Sequence, residues 1–274
     1  MSQDRAVFEA ALAAQQEGRP AALTVVVETQ GSVPRQAGSK MLVWPDGQIV
    51  GTVGGGQMEA FVIAEAQAAM RSGASRIVSY DLADPKSGDP GVCGGSVRVY
   101  VEPLLSPATV LVIGAGHVGK AVAELAKWLG YRVVVSDDRP DYATPEQIPG
   151  MDGYLTVAPG DLAEQAPISA RTYIVAVTRG LIVDEALLPA LLRTDAPYIG
   201  LIGSRRRWMI TAEALRAKGI AQADLDRVHA PIGLSIGAET PQEIAVSIMG
   251  EVIQAQRGGS GESLQWPAKP AERE

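Results

Sequence analysis

The chain has 274 residues, 46% of them apolar and 20% charged, which is typical of a globular protein with one large domain or two small ones. Its net charge of −7 argues against a general nucleic-acid-binding protein. One cysteine and two histidines exclude an internal disulfide and disfavour a structural zinc site. We find no signal peptide and no apolar run near the length of a membrane span, so we expect a cytoplasmic protein that does not bind membranes.

Residues 1–104 predict a small α+β domain. The periodicities predict, in order, a helix at 3–17, a strand at 21–28, strands at 40–44 and 48–52, a helix at 57–71, and strands at 76–80 and 96–102. The second and third strands flank a Pro-Asp-Gly turn, which is typical of a hairpin.

The next segment carries a phosphate-binding motif in its usual setting. An apolar strand at 110–113 leads into Gly114, Gly116 and Gly119, and a helix at 118–129 follows. A second strand at 132–135 ends near Asp137, about 20 residues after the glycines, where an acidic residue of a dinucleotide site would bind ribose. This strand–turn–helix–strand order predicts a Rossmann-like unit.

Apolar strands and helical patterns then alternate to the end of the domain. Strands are expected at 154–157, 173–177 and 198–202, and helices near 182–193, 205–218 and 240–256, the last capped by Thr240. We therefore predict an α/β protein with an N-terminal α+β domain (1–104), a Rossmann-like doubly wound parallel-sheet domain (108–257) and a disordered tail (258–274).

The N-terminal domain offers two glycine-rich loops and a thiol as candidate sites. Arg35 in the loop 31–38 would meet an anion, or would merely be a solvated arginine in a turn. The N–H groups of Gly54, Gly55 and Gly56 would add an anion-binding floor, with Glu59 nearby either functional or favouring its helix dipole. Cys93 lies between glycines and would either contact or ligate a soft metal or be a small structural residue in a glycine turn, as isolated cysteines commonly are.

Further candidates follow the strands of the Rossmann-like domain, where ligands bind in such sheets. His117 would contact a phosphate or cap its turn, Asp137 would bind ribose, and Arg139 would bind phosphate or pair with Asp138. Arg179 follows a later strand.

Ser204 is a predicted helix N-cap, which places Arg205, Arg206 and Arg207 in the first helical turn. Cations there oppose the helix dipole. An anion site would explain them, and so would pairing with acidic residues elsewhere.

Four segments resemble the xanthine dehydrogenase accessory proteins, the XdhC/CoxI family. They are residues 31–43 (GSVPRQAGSKMLV), residues 46–59 (DGQIVGTVGGGQME), residues 113–140 (IGAGHVGKAVAELAKWLGYRVVVSDDRP) and residues 198–248, which contain YIGLIGSRRR and HAPIGLSIGAETPQEIAVSI. Two positions depart from that family: Gln57 stands where some members have cysteine, and Leu181 where others have histidine.

The resemblance implies a chaperone without catalytic residues of its own. It would bind the molybdenum cofactor (molybdopterin), protect it during sulfuration and deliver it to a xanthine dehydrogenase-type molybdoenzyme, with a cysteine desulfurase as second partner. We also expect a homodimer. An NAD(P)-dependent oxidoreductase, or a regulatory nucleotide-binding protein without turnover, remains an alternative because the glycine loop fits a nucleotide.

Overall fold

A computed structural model of the chain describes residues 3–82, 94–105 and 107–264. The chain divides into two compact units, Met1–Ser106 and Pro107–Glu274. In the described ranges, every helix is too short or too polar to cross a membrane.

The first unit is an antiparallel sheet with a helix on each face. Its elements are α1 (Gln3–Glu17), β1 (Ala21–Gln30), β2 (Lys40–Val43), β3 (Ile49–Gly51), α2 (Gly56–Ser72), β4 (Arg76–Asp81) and β5 (Ser96–Leu104), with the strands in the order β3-β2-β1-β5-β4. Alternate residues of β5, Val97 and Val99, are buried in the same core cluster as Met58 and Val62 of α2. The opposite face packs Leu42 against Val7 of α1. The alternating pattern of the strands and the helical patterns of α1 and α2 thus form two separate cores, one on each face of the sheet.

The second unit is built on a parallel sheet. Its elements are β6 (Thr109–Ile113), α3 (His117–Trp128), β7 (Arg132–Asp137), β8 (Gly153–Thr156), α4 (Leu162–Gln165), β9 (Thr172–Ala176), α5 (Leu181–Leu191), β10 (Tyr198–Leu201), α6 (Arg205–Ala217), α7 (Gln222–Leu225), β11 (Val228–His229) and α8 (Pro241–Arg257). The strand order is β11-β10-β9-β6-β7-β8, and the paired strands are parallel.

Helices cover both faces of this sheet. Val110 and Val112 of β6 belong to one core cluster together with Val122 of α3 and Val252 of α8. Leu111, between them in sequence, belongs to a second cluster with residues of α5 and α6. This is why the strands are apolar throughout rather than alternating.

The order in which successive strands are added to the sheet reverses at β6. The chain passes from β6 to β7 on one side, and β9 later pairs with β6 on the other side. A crevice at the carboxyl ends of the strands is expected at such a switch point, and ligands of open α/β sheets bind there.

The predicted fold class is confirmed, and every predicted helix and strand is present with ends shifted by a few residues. The predicted capping box is also present, since Thr240 accepts from the Glu243 N–H and the Glu243 carboxylate accepts from the Thr240 N–H. The sequence missed α4, α7 and the two-residue β11, which are too short to show a periodicity. Residues 258–264 carry no helix or strand, while residues 265–274 of the predicted tail lie outside the described part.

Candidate functional site

A cavity of about 510 Å³ lies at the carboxyl ends of β6, β7 and β9. Its polar rim comes from the glycine loop and from the segments that follow β7 and β9. Its apolar wall includes Ile148, Val157, Leu162 and Val183. The volume lies within the usual range for small-molecule sites.

The glycine loop has the geometry that the motif predicts. Gly114 has a φ of +104°, and a Cβ on Gly119 would lie 1.8 Å from the Gly114 carbonyl oxygen, so both positions require glycine. Gly116 is different, because a Cβ there would meet nothing within 4 Å. Gly116 therefore leaves open space beside the first turn of α3, whose amide groups carry the positive end of the helix dipole.

Asp137 lies at the end of β7, where the motif predicts it, but its carboxylate is fully engaged. Oδ1 accepts from the backbone N–H and the Nε of Arg139, at 3.0 and 2.8 Å. Oδ2 accepts from the Ala115 N–H at 2.8 Å and from Nη2 of Arg139 at 2.9 Å. Burial alone would raise the pKa of Asp137, but these hydrogen bonds outweigh it and lower the pKa to about 2.

The neighbouring charges pair across the crevice. Arg139 binds Asp137 rather than Asp138, and its guanidinium lies 3.3 Å from the centroid of the Tyr142 ring. Asp138 instead accepts two hydrogen bonds from Arg179, at 2.5 and 2.6 Å. Arg179 thus belongs to the site, but in contact with a carboxylate of the protein.

A buried ion pair supports the loop that carries Arg179. Arg207, in the first turn of α6, donates to both carboxylate oxygens of Asp184 at 2.8 Å and to the Thr178 hydroxyl at 2.7 Å. The Asp184 side chain is 0% exposed. Burial raises the pKa of Asp184 even though hydrogen bonds from Thr178 and Arg207 oppose the shift. Gly203 leaves room for this arginine, because a Cβ there would lie 2.8 Å from the Arg207 Cδ.

The three arginines therefore divide into two kinds. Ser204 is the N-cap of α6 and accepts from the Arg207 N–H at 3.2 Å. Arg207 has the acidic partner that a structural role requires. Arg205 and Arg206 are exposed, and they are not among the residues that line the cavity. An anion site at these two residues stays a prediction.

In the first unit, the predicted glycine loops lie against each other. A Cβ on Gly54 would lie 2.9 Å from Cγ of Pro34, in the loop that carries the exposed Arg35. A Cβ on Gly95 would lie 2.6 Å from the Ser32 carbonyl oxygen, so a third glycine segment joins them. The sequence proposed that the first two loops form one floor, and the structure brings them together.

Glu59 already binds part of the Gly54–Gly56 loop. Its Oε2 accepts from the Thr52 hydroxyl and, at 3.3 Å each, from the N–H groups of Val53 and Gly55. The Gly54 N–H donates to the Thr52 hydroxyl at 3.1 Å. Glu59 therefore does more than favour the dipole of α2, because it fixes the conformation of the glycine loop.

Cys93 lies outside the described residues, so its predicted contact with a metal or cofactor stays a prediction. The described ranges contain no group of three or more His, Cys, Asp or Glu side chains that could hold a metal ion.

Two sequence models match the chain. A model of the XdhC Rossmann domain matches residues 110–252, and a model of the XdhC and CoxI family matches residues 14–81. The chain belongs to the XdhC/CoxI family. The predicted resemblance is thereby confirmed over both units.

Curated relatives of this XdhC/CoxI chain align with it over different lengths. The uncharacterized protein YqeB of Escherichia coli (strain K12) is 33% identical over 269 residues, 97% of this chain and 49% of YqeB. A probable xanthine dehydrogenase subunit from Bacillus subtilis (strain 168) is 30% identical over 162 residues, 59% of this chain and 47% of the relative. This chain thus spans about half the length of these two relatives. The molybdenum cofactor insertion chaperone PaoD of Escherichia coli (strain K12) is 24% identical, over 90% of this chain and 87% of PaoD.

A solved structure shares the XdhC/CoxI fold. It is described as a xanthine dehydrogenase from Bacillus halodurans and aligns with 96% of this chain and 98% of its own, at a TM-score of 0.52 and 21% identity. At that identity the likeness supports the fold alone.

The structure also shows a polar cluster around His229 that the sequence did not predict. Nδ1 of His229 lies 2.9 Å from Oε1 of Glu251 in α8. The other oxygen of Glu251 accepts from the Tyr198 hydroxyl at 2.9 Å and from the Gly233 N–H. Because these partners are far apart in sequence, no spacing could have shown the cluster.

Proposed function

We propose that this XdhC/CoxI chain is a cytoplasmic chaperone for the molybdenum cofactor. It would bind molybdopterin cofactor, protect it while it is sulfurated, and deliver it to a xanthine dehydrogenase-type molybdoenzyme. The observation that carries the proposal is the similarity to a molybdenum cofactor insertion chaperone along nearly the whole of both chains.

Each unit, taken by itself, offers residues for binding. The donors around the second unit's cavity suit the phosphate of a pterin cofactor, and the apolar wall suits a ring. The residues that we assign to cofactor binding are Arg35, Gly54, Gly55, Gly56, Glu59, Cys93, Gly114, Gly116, His117, Gly119, Asp137, Arg139, Arg179, Ser204, Arg205 and Arg206.

The target molybdoenzyme and a cysteine desulfurase are the partners that we propose. We also propose that the chain acts as a homodimer, and that residues 1–104 and 108–257 are its two functional domains. A relative named as part of a xanthine dehydrogenase supports the link to the target.

Equilibrium dialysis tests the proposal directly. The purified chain should retain about one molybdopterin cofactor per chain, measured as molybdenum and as fluorescence of the oxidised pterin. Cys93→Ser should weaken retention while leaving the melting temperature nearly unchanged. Retention no greater than that of an unrelated acidic protein of similar size would refute the chaperone.

An NAD(P)-dependent oxidoreductase is the second candidate, because the glycine loop has the geometry of a dinucleotide motif. The state of Asp137 argues against it, since Arg139 and the Ala115 N–H already use both carboxylate oxygens. Oxidation of NADH with a small-molecule acceptor at ordinary enzymatic rates would establish this alternative.

A further inference from the structure

The acidic side chains that line the cavity of the second unit are both paired with arginines. Both carboxylates on its rim are engaged, Asp137 by Arg139 and Asp138 by Arg179. His117 and Lys120 are among the residues that line the same cavity. The lining is therefore suited to an anion.

The carboxylate that would usually accept from the ribose diol of a dinucleotide, that of Asp137, is already bound by groups of the protein. In a dinucleotide site the acidic residue after the second strand accepts from ribose hydroxyls. Here the Asp137 side chain is 2% exposed and already accepts four hydrogen bonds. A ribose would have to displace the guanidinium of Arg139, which also stacks on Tyr142.

Arg179, by contrast, is available for exchange. It follows β9 and Asp138 follows β7, so their ion pair spans the carboxyl end of β6, which lies between those strands. The two side chains are 51% and 26% exposed. The pair is bidentate, the geometry in which a surface ion pair contributes most, but water reaches both side chains. An arginine fork matches the oxygens of a phosphate as well as those of a carboxylate, so a phosphate can replace Asp138 as its partner.

We propose that this cavity binds a phosphomonoester, and that Arg179 leaves Asp138 to bind the phosphate. The phosphate lies at the first turn of α3, where the backbone N–H groups of His117, Val118 and Gly119 precede the first intrahelical bond, donated by Lys120 to Gly116. The ring system attached to it contacts the apolar wall.

The inference rests on the proposed function only in its choice of source for the phosphate. The terminal phosphate of molybdopterin and the 5′-phosphate of a purine mononucleotide are both phosphomonoesters. Binding of each is measured separately, so the source is an outcome of the experiment.

Isothermal titration of the full chain compares three probes: a 6-hydroxymethylpterin phosphate, AMP and NAD⁺. We expect at least one monoester to bind more tightly than NAD⁺, which has no terminal phosphate. Arg179→Gln should lower the affinity for that monoester roughly tenfold or more, because a hydrogen bond to a charged group is lost. Asp138→Asn should raise the affinity several-fold, because Arg179 no longer pairs with a carboxylate.

Arg193→Gln is the matched control. Arg193 is exposed and lies between α5 and the start of β10, at the amino ends of the strands and away from the cavity. Its variant should therefore bind as the unchanged chain does. Melting temperatures close to that of the unchanged chain show that the three variants fold.

Tighter binding of NAD⁺ than of both monoesters, or unchanged monoester affinity in Arg179→Gln, would overturn the inference. The outcome is distinguishable from that of the proposed function. Retention of molybdopterin cofactor without the expected monoester pattern overturns the site only. The expected pattern without cofactor retention supports the site and refutes the chaperone.

Discussion

Replacing Arg207 by methionine should destabilise the second unit strongly. The change leaves the Asp184 carboxylate, which is 0% exposed, with the Thr178 hydroxyl as its remaining side-chain partner. Removing one member of a buried ion pair costs about 3–5 kcal/mol of unfolding free energy. The Arg207 side chain is 20% exposed, so we expect the lower end of that range.

The penalty should depend on pH. Burial already raises the pKa of Asp184 above its ordinary value of 3.8, and loss of Arg207 should raise it further. A carboxyl whose folded-state pKa is raised binds its proton more tightly when folded, so stability falls as the pH rises through that folded pKa. The variant should therefore be most impaired near neutral pH, and its deficit should shrink as the pH approaches 3.8.

Urea unfolding followed by circular dichroism, at about pH 4.5 and pH 7.5, measures both effects. Arg206→Met is the control, since Arg206 is exposed in the same helical turn and its loss removes a cation that opposes the dipole. The double variant Asp184→Leu with Arg207→Met should recover part of the stability, because no charge is then left buried. A deficit below about 1 kcal/mol that is the same at both pH values would refute this account of the pair.

Three further predictions concern stability. Gly119→Ala should impair folding, because its Cβ would lie 1.8 Å from the Gly114 carbonyl oxygen. Gly116→Ala is the control and should melt close to the unchanged chain, because a Cβ there would meet nothing within 4 Å. Equal melting temperatures for the two variants would show that the loop moves to accept the Cβ. Glu251→Leu should lower the urea midpoint by leaving His229, the Tyr198 hydroxyl and the Gly233 N–H without their acceptor. Burial would raise the folded-state pKa of Glu251, but these hydrogen bonds outweigh it and lower that pKa below 4.5. The stability that Glu251 contributes should therefore be present above pH 4.5 and lost as the pH falls through the lowered folded value. The same deficit at acid and neutral pH would contradict this. Thr240→Ala should cost about 1 kcal/mol of unfolding free energy by removing the capping box of α8, and no measurable change would show that packing alone fixes that end.

Local patterns were enough to predict the longer elements and the Rossmann-like unit. The motif spacing also located Gly114, Gly119 and Asp137 correctly, because those positions are determined within one strand–turn–helix–strand unit. The Ser204 and Thr240 caps followed from contacts three residues apart. Such features depend on neighbours in sequence, which a single chain reveals.

Partnerships between distant residues were not predictable in the same way. The sequence offered Asp138 as a partner for Arg139, one residue away. In the structure Asp138 pairs instead with Arg179, which lies 41 residues further along the chain. It offered Asp137 as a free ribose acceptor, and the folded chain supplies the donors itself. Which charged groups meet depends on the register of parallel strands, and composition and periodicity leave that undetermined.

The carboxylate of Glu59 has a consequence for selectivity in the first unit. It is tethered within one helical turn of the Gly55 amide and accepts from the Val53 and Gly55 N–H groups, so an outside anion must compete with it for these donors. Exchanging one single negative charge for another gains no electrostatic energy and costs the newcomer its translational freedom. Chloride, bicarbonate and simple carboxylates are therefore disfavoured at this loop. Only an anion with a second negative charge, or with additional contacts beyond the amides, would gain enough to displace the side chain.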